Sequence, residues 1–415
     1  MPILCGSDLS PGSADALAAA IALAERRGDK ELILVHIAEA GDQAPVLNDA
    51  QKTLSEQSDE FVARVPVRIE VRAGATAETL ADLAIAEGAD LIVVGAGPRA
   101  AGRLGSFAGH LVEVTAVPVL LVRDPGPWVE FGRGERAIKI LAGVDDSATG
   151  DVALHWLKAM RQIGPVDVTL GAVYYPDEAC HKYGLKLQSH VERDPEVEEL
   201  LTRDLLHRFE PAVGAGEVEA RMRLGLGRIG DHLIELAQDT GVDAIVVGTR
   251  QRTGLGKLGS VSSVVVANAP QSVICIPPEA QVPIQTTPRI RRVLVATDLT
   301  PFANRAVPYA FSIAQGGEVH LLHVMSHEDD TSPQELHARL LAMRPTGVAT
   351  ALHAHVERSD DTAERIGQIS SRLGVDIICI ASHNRSGLGR ALLGSVADRL
   401  LRETRIPVLI LRPAP

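Results

Sequence analysis

The chain is poor in aromatic residues, in cysteine, in net positive charge and in long apolar runs, and each shortage narrows what it can be. Phe, Trp and Tyr together make up 3% of its 415 residues. A core with so few rings must be filled by Ala, Val, Leu and Ile, which suits helices packed closely on a sheet. No run of about eighteen apolar residues occurs, so a membrane-spanning helix is not expected. The opening MPILCGSDLS lacks a basic segment followed by an apolar one, so a secretory signal is not expected either. There are 4 cysteines and no CxxC pair. Cys5, Cys275 and Cys379 sit inside apolar strand patterns and Cys180 sits in an insertion. That usage reads as reduced, mostly buried thiols in a cytoplasmic protein. A net charge of −12 argues against general nucleic-acid binding. Lys plus Arg less Asp plus Glu gives −8 for residues 1–125, −6 for 126–280 and +2 for 281–415, so the last third is the better host for an anion.

What the chain does have is one pattern three times over. Near the C-terminus, IICIASHNRSGLGRALLGS (Ile377–Ser395) runs from an apolar strand into a small-residue loop, and Gly394-Ser395 opens an amphipathic helical pattern. The other copies are IVVGAGPRAAGRLGS (Ile92–Ser106) and IVVGTRQRTGLGKLGS (Ile245–Ser260). Each copy ends in an apolar strand after one more helix. Strand, small-residue loop and helix N-terminus is a layout in which backbone N–H groups and the positive end of a helix dipole can hold phosphate. The same cycle of five strands and four helices precedes each ending, so a parallel sheet is expected in each copy. Pro/Gly-rich residues 124–136 and 277–291 read as linkers between the copies.

These residues resemble the universal stress protein family, whose phosphate loop reads Gly, two residues, Gly, nine residues, Gly, then Ser or Thr. In the third copy those positions are Ala381, Asn384, Gly394 and Ser395. The resemblance implies a doubly wound, five-stranded parallel sheet, flavodoxin-like and akin to the adenine nucleotide alpha hydrolases, in three tandem copies. It places domains at residues 1–125, 136–278 and 290–415. The implied function is binding of ATP, with AMP or ADP as alternatives and Mg or Mn accompanying the phosphates. A non-binding scaffold and a slow ATP hydrolase are the competing readings. Family members commonly pair through their last strand, so the resemblance also implies a homodimer.

Within the third copy the resemblance puts Asp298 at the adenosine end of the pocket and Val324 along the base. A turn or helix-capping aspartate is the alternative for Asp298. The loop positions Ala381, Asn384, Gly394, Ser395 and Val396 would surround phosphate, with His383, Arg385 and Arg390 as donors nearby. From the first loop position to the Gly-Ser pair the chain runs from 381 to 394 in this copy, but only from 248 to 259 and from 95 to 105 in the others. The shorter loops leave Asp145, Gly248, Gly259 and Ser260, and Asp8, Gly95, Gly105 and Ser106, as vestigial anion sites. The third domain is therefore expected to be the main nucleotide site.

Other signals point less far. Gly225, Gly227 and Gly230 spell GxGxxG, but at the third strand of their copy and without an acidic residue closing the next strand. Neither GxxxxGK[ST] nor GxSxG occurs, so a P-loop and a nucleophile elbow are not expected. Seven histidines fall in the third copy: His320, His323, His327, His337, His353, His355 and His383. None shows a complete four-ligand spacing, and no metal site and no catalytic residue is expected.

Overall fold

Short β-branched apolar runs bounded by Gly, Asp and Pro become strands throughout the chain. The computed structural model describes residues 1–38, 44–59, 61, 65–97, 106–210, 213–249, 260–281, 290–314, 316–382 and 394–412. The strands are β1 (Ile3–Gly6), β2 (Leu32–Ala38), β3 (Val67–Ala73), β4 (Leu91–Gly95), β5 (Val119–Val122), β6 (Ile138–Gly143), β7 (Val166–Tyr174), β8 (Val218–Leu224), β9 (Ala244–Gly248) and β10 (Ser272–Ile276). The remaining five are β11 (Arg292–Ala296), β12 (Glu318–Met325), β13 (Ala351–Arg358), β14 (Ile377–Ala381) and β15 (Val408–Leu411). Met1–Tyr174 and Leu205–Gln285 form one compact unit; Tyr175–Asp204 and Thr286–Pro415 form another.

The first unit is built on one ten-stranded sheet, ordered β3-β2-β1-β4-β5-β10-β9-β6-β7-β8. It consists of two parallel leaves of five strands. They meet where β10 runs antiparallel to β5, with Val273 opposite Leu121 and Cys275 opposite Val119. The first two copies thus share one continuous sheet. Each leaf reverses its order between its first and fourth strands, which is the switch point of a doubly wound sheet. One apolar layer runs along the joined sheet, from Leu4, Ile33 and Ile92 through Leu121 and Val273 to Leu141, Ile245 and Val265.

The residues read as the first linker do something else. Gly126–Arg133 is a helix. Trp128 and Phe131 are fully buried, and Gly134, with φ 74°, ends the helix in the left-handed conformation. A Cβ on Gly132 would come within 2.6 Å of Ala22 on the helix Pro11–Arg27, so only glycine allows this approach. Two large side chains three residues apart make one apolar face, and burying it outweighs the local Pro/Gly preference for a turn.

The second unit carries a five-stranded parallel sheet, ordered β13-β12-β11-β14-β15. One apolar layer, with Val293, Val319 and Phe311, covers one face; another, with Leu294, Ile366 and Leu400, covers the opposite face. The insertion Tyr175–Asp204 belongs to this unit. Arg203 donates to the carbonyls of Ser371 (2.8 Å) and Arg372 (2.6 Å) at the end of the helix Thr362–Leu373. Charged side chains near a helix C-terminus satisfy carbonyls that have no partner inside the helix.

Candidate functional site

The C-terminal ends of β11 and β14 lie side by side, because Val293 pairs with Ile377 and Ala296 with Ile380. That brings the turn after β11 and the loop after β14 to one edge of the sheet. The turn is tightly built. Asp298 is exposed, and its Oδ1 accepts from Thr300 N at 2.9 Å and Thr300 Oγ1 at 2.6 Å. Thr300 Oγ1 in turn accepts from Ala303 N at 3.2 Å. Both the proline and the threonine expected at the helix start are there, but a 3₁₀ turn, Ala303–Arg305, precedes the helix Ala306–Ile313.

Between Asp298 and Thr300, Leu299 has φ 66°. A left-handed leucine costs about 1–2 kcal/mol, so surrounding bonds must hold it. They are present: Leu299 N donates to Thr297 Oγ1 at 3.0 Å, and Asn304 Nδ2 donates to Leu299 O at 3.3 Å. From the next strand, His323 Nδ1 meets Thr297 O at 2.9 Å. The first copy repeats the device. Leu9 has φ 62°, Asp8 Oδ1 accepts from Ser10 N at 3.0 Å, and His36 Nδ1 meets Ser7 O at 2.8 Å. Burial of Asp8 raises its pKa, but the bonds from Ser10 outweigh it and hold the carboxyl below its usual range.

The second copy keeps the aspartate, its turn bond and the serine cap, and drops the left-handed leucine and the anchoring histidine. Asp145 Oδ1 accepts from Ser147 N at 3.0 Å, and Ser147 Oγ caps the helix at Gly150 N, 3.1 Å. Ala172 stands where the other copies have His36 and His323. Sequence reasoning missed the left-handed leucines and the anchoring histidines. A signal was available: SDLS at 7–10 recurs as TDLT at 297–300, whereas the second copy reads VDDS.

The loop side of the site is described at its two ends. Ala381 closes β14 in strand geometry. Ser382 is buried, its N donates to Leu411 O at 2.9 Å, and its Oγ accepts from Gly394 N at 2.9 Å. Gly394 sits at φ −60° and ψ 152°, before the nine-residue helix Ser395–Glu403, and places no side chain over the helix start. Ser395 and Val396 are exposed there. Val324 is half-buried and packs against the apolar layer that holds Leu322 and Ala397. The structure therefore brings Asp298, Ala381, Gly394, Ser395 and Val396 to the strand-end edge. His383, Asn384, Arg385 and Arg390 lie outside the described residues, as do Gly105 and Gly259.

In the first two copies the strand-end glycines have a packing reason. A Cβ on Gly95 would come within 2.6 Å of Gly12 O, and one on Gly248 within 2.7 Å of Thr149 Cγ2. The third copy, whose first helix starts with the 3₁₀ turn, carries Ala381 at that place.

The universal stress protein family model matches residues 1–123, 138–277 and 289–412. The chain belongs to the universal stress protein family. Universal stress proteins of two mycobacteria are similar to it. That of Mycolicibacterium smegmatis is 25% identical over 296 residues, covering 66% of this chain and 97% of its own length. One from Mycobacterium tuberculosis is 26% identical over 305 residues, covering 67% and 98%. A solved universal stress protein from Archaeoglobus fulgidus matches 67% of this chain and 98% of its own, at 17% identity and a TM-score of 0.48. Another, solved in complex with cAMP, matches 31% of this chain and all of its own, at 20% identity and a TM-score of 0.26. No helix among the described residues is long and apolar enough to cross a membrane.

Proposed function

We propose that this universal stress protein is a cytoplasmic regulator that binds an adenine nucleotide, ATP foremost, through a third domain at residues 290–415. The observation that carries this reading is the Ser382–Gly394 bond. It ties together the two ends of the longest of the three loops, directly before an uncapped helix start and beside the exposed carboxylate of Asp298. Backbone N–H groups at such a start favour phosphate oxygens. Asp298 accepts a ribose hydroxyl or adenine amine through its remaining acceptor capacity, Val324 lines the base, and Mg or Mn arrives with the phosphates. His383, Asn384 and Arg385 belong to the phosphate end. Domains at 1–125 and 136–278 take no triphosphate, because their loops are shorter.

Nucleotide occupancy modulates association instead of driving turnover. In the first unit β5 and β10 cover one another and are buried throughout. β15 occupies the same place in its own sheet, has no such partner among the described residues of its unit, and is half-buried along its length. An apolar edge of this kind takes a strand from a second copy, giving a homodimer.

The deciding experiment is mass spectrometry of the small molecules released from heat-denatured purified protein, followed by calorimetric titration with ATP, AMP and cAMP. A co-purified or titratable adenine nucleotide supports the reading. A protein that carries none and shows no heat with any of them is a scaffold.

A further inference from the structure

The second unit holds a histidine cluster that the nucleotide reading does not use. It lies near the N-terminal ends of β12 and β13, far along the strands from the Asp298 edge. His320 pairs in register with His353, and His355 follows two residues on, on the same face. The His320 and His353 rings stack with centroids 4.9 Å apart and an interplanar angle of 21°. His320 and His355 are 5.3 Å apart, with His320 Nδ1 3.1 Å from His355 Nε2. One proton shared between those two nitrogens satisfies both, since one must donate and the other accept. The other nitrogen, His320 Nε2, has no hydrogen-bond partner among the described residues, although the residue is only 5% exposed. It lies 3.5 Å from Glu318 Oε2.

A metal does not account for the arrangement. Among the described residues no three His, Cys, Asp or Glu side chains converge on one cation position, and near-parallel rings do not aim their lone pairs at one point. What the cluster can do is bind protons. Around it, β12 contributes Glu318, β13 contributes Glu357, the helix Thr362–Leu373 contributes Arg372 and the helix Pro333–Leu341 contributes His337. β11 places Leu294 in register with His320 and Arg292 in register with Glu318. Glu318 is the carboxylate that faces the rings, while Glu357 faces Arg372 at 3.4 Å and Arg365 at 3.9 Å.

We propose that His320 and His355, with His353 stacked on His320, form an acid-sensitive latch: neutral, the pair holds the outer strands β12 and β13 closed, and proton uptake by the pair opens that edge of the sheet. Charging both His320 and His355, whose ring centroids are 5.3 Å apart, puts like charges together at a site where His320 is buried. Burial, then His355 and His353, lowers the pKa of His320 to about 4. Burial, then His353 and Arg372, lowers that of His355. A base whose folded pKa is depressed is neutral when closed and protonated when open. The closed state keeps its full stability above the ordinary histidine value of about 6.5 and loses it as pH falls toward about 4. Each proton taken up on opening multiplies the opening equilibrium about tenfold per pH unit across that window.

The test is hydrogen–deuterium exchange of the full chain between pH 7.5 and 4.5, read as protection factors in β12 and β13, with β4 and β9 as internal controls. Protection in β12 and β13 should fall about tenfold per pH unit below about pH 6.5 while the controls hold. His320→Leu should flatten that dependence. Should it not fold, His355→Gln, which keeps a polar group at the same place, should make it shallower. Protection in β12 and β13 that tracks the controls in the unmodified protein overturns the proposal, as does a folded variant with an unchanged pH slope.

Discussion

The N–H of Gly394 donates to the buried hydroxyl of Ser382 at 2.9 Å, joining the end of β14 to the start of the last helix across twelve positions of sequence. A Cβ on Gly394 would come within 3.1 Å of that same oxygen. The bond and the glycine are one device, and the proposed phosphate site stands on it.

Ser382→Ala should therefore cost about 1 kcal/mol of stability, because it removes a bond from a buried position. It should weaken ATP binding by more than that, since it frees the loop end. Gly394→Val should abolish binding while the second unit stays folded. Calorimetric titration beside thermal unfolding separates the two effects; a Gly394→Val protein that still binds ATP refutes the assignment.

Asp298 can act as a turn former or as a ligand group, and one substitution separates the roles. Asn keeps the oxygen that accepts from Thr300 but removes the charge. If the aspartate serves only its turn, Asp298→Asn should bind ATP like the parent and Asp298→Ala should lose about 1 kcal/mol of stability. The proposed ligand role expects both variants to bind at least about tenfold more weakly, or about 1.4 kcal/mol.

Trp128 is fully buried, and its Nε1 lies 3.4 Å from Ser272 Oγ on β10. Replacing it with Ala should destabilise the first unit by about 3–5 kcal/mol. Denaturant titration measures this. A loss under about 1 kcal/mol would mean that the helix Gly126–Arg133 adds little to the core.

The thiols should be silent in the native protein. Burial raises Cys5, Cys275 and Cys379 to about 12 and raises Cys180 as well, and all 4 are free. Disulfide-exchange reagent at pH 8 should label none quickly, and all 4 in denaturant, because only thiolate reacts. Fast labelling of one thiol under native conditions contradicts the burial.

On the proposed dimer edge, Ile378 N donates to Pro407 O and Ser382 N to Leu411 O. Odd-numbered residues of β15 thus face β14, and Ile410 turns its N–H to the free edge. Ile410→Pro removes that donor without touching the β14 ladder. Sedimentation equilibrium should show the variant as a monomer if β15 carries the dimer, and an unchanged mass excludes that edge.

Much of this was legible in the chain because the signals were local. The three strand–loop–helix endings show as apolar runs cut off by small residues, and Ser10-Pro11 caps its helix as the residue types require. Residues 124–136 misled because proline and glycine speak for a turn locally, while Trp128 and Phe131 gain their energy only by packing against a distant helix. The residue type at Leu299 argued against φ 66°, because leucine disfavours that region; the signal lay only in the recurrence of SDLS as TDLT, and the bonds with Thr297 and Asn304 impose the conformation.

The sequence by itself determined the three repeats, their parallel strands and the order of turn residues at each strand end, since period, capping and turn chemistry act over a few residues. Tertiary structure alone decided that β5 joins β10, that Ser382 meets Gly394, and that His320 lies against both His353 and His355. Those pairings join residues 12 to more than 150 positions apart, and their free energy comes from burial and register, which no short window of sequence contains.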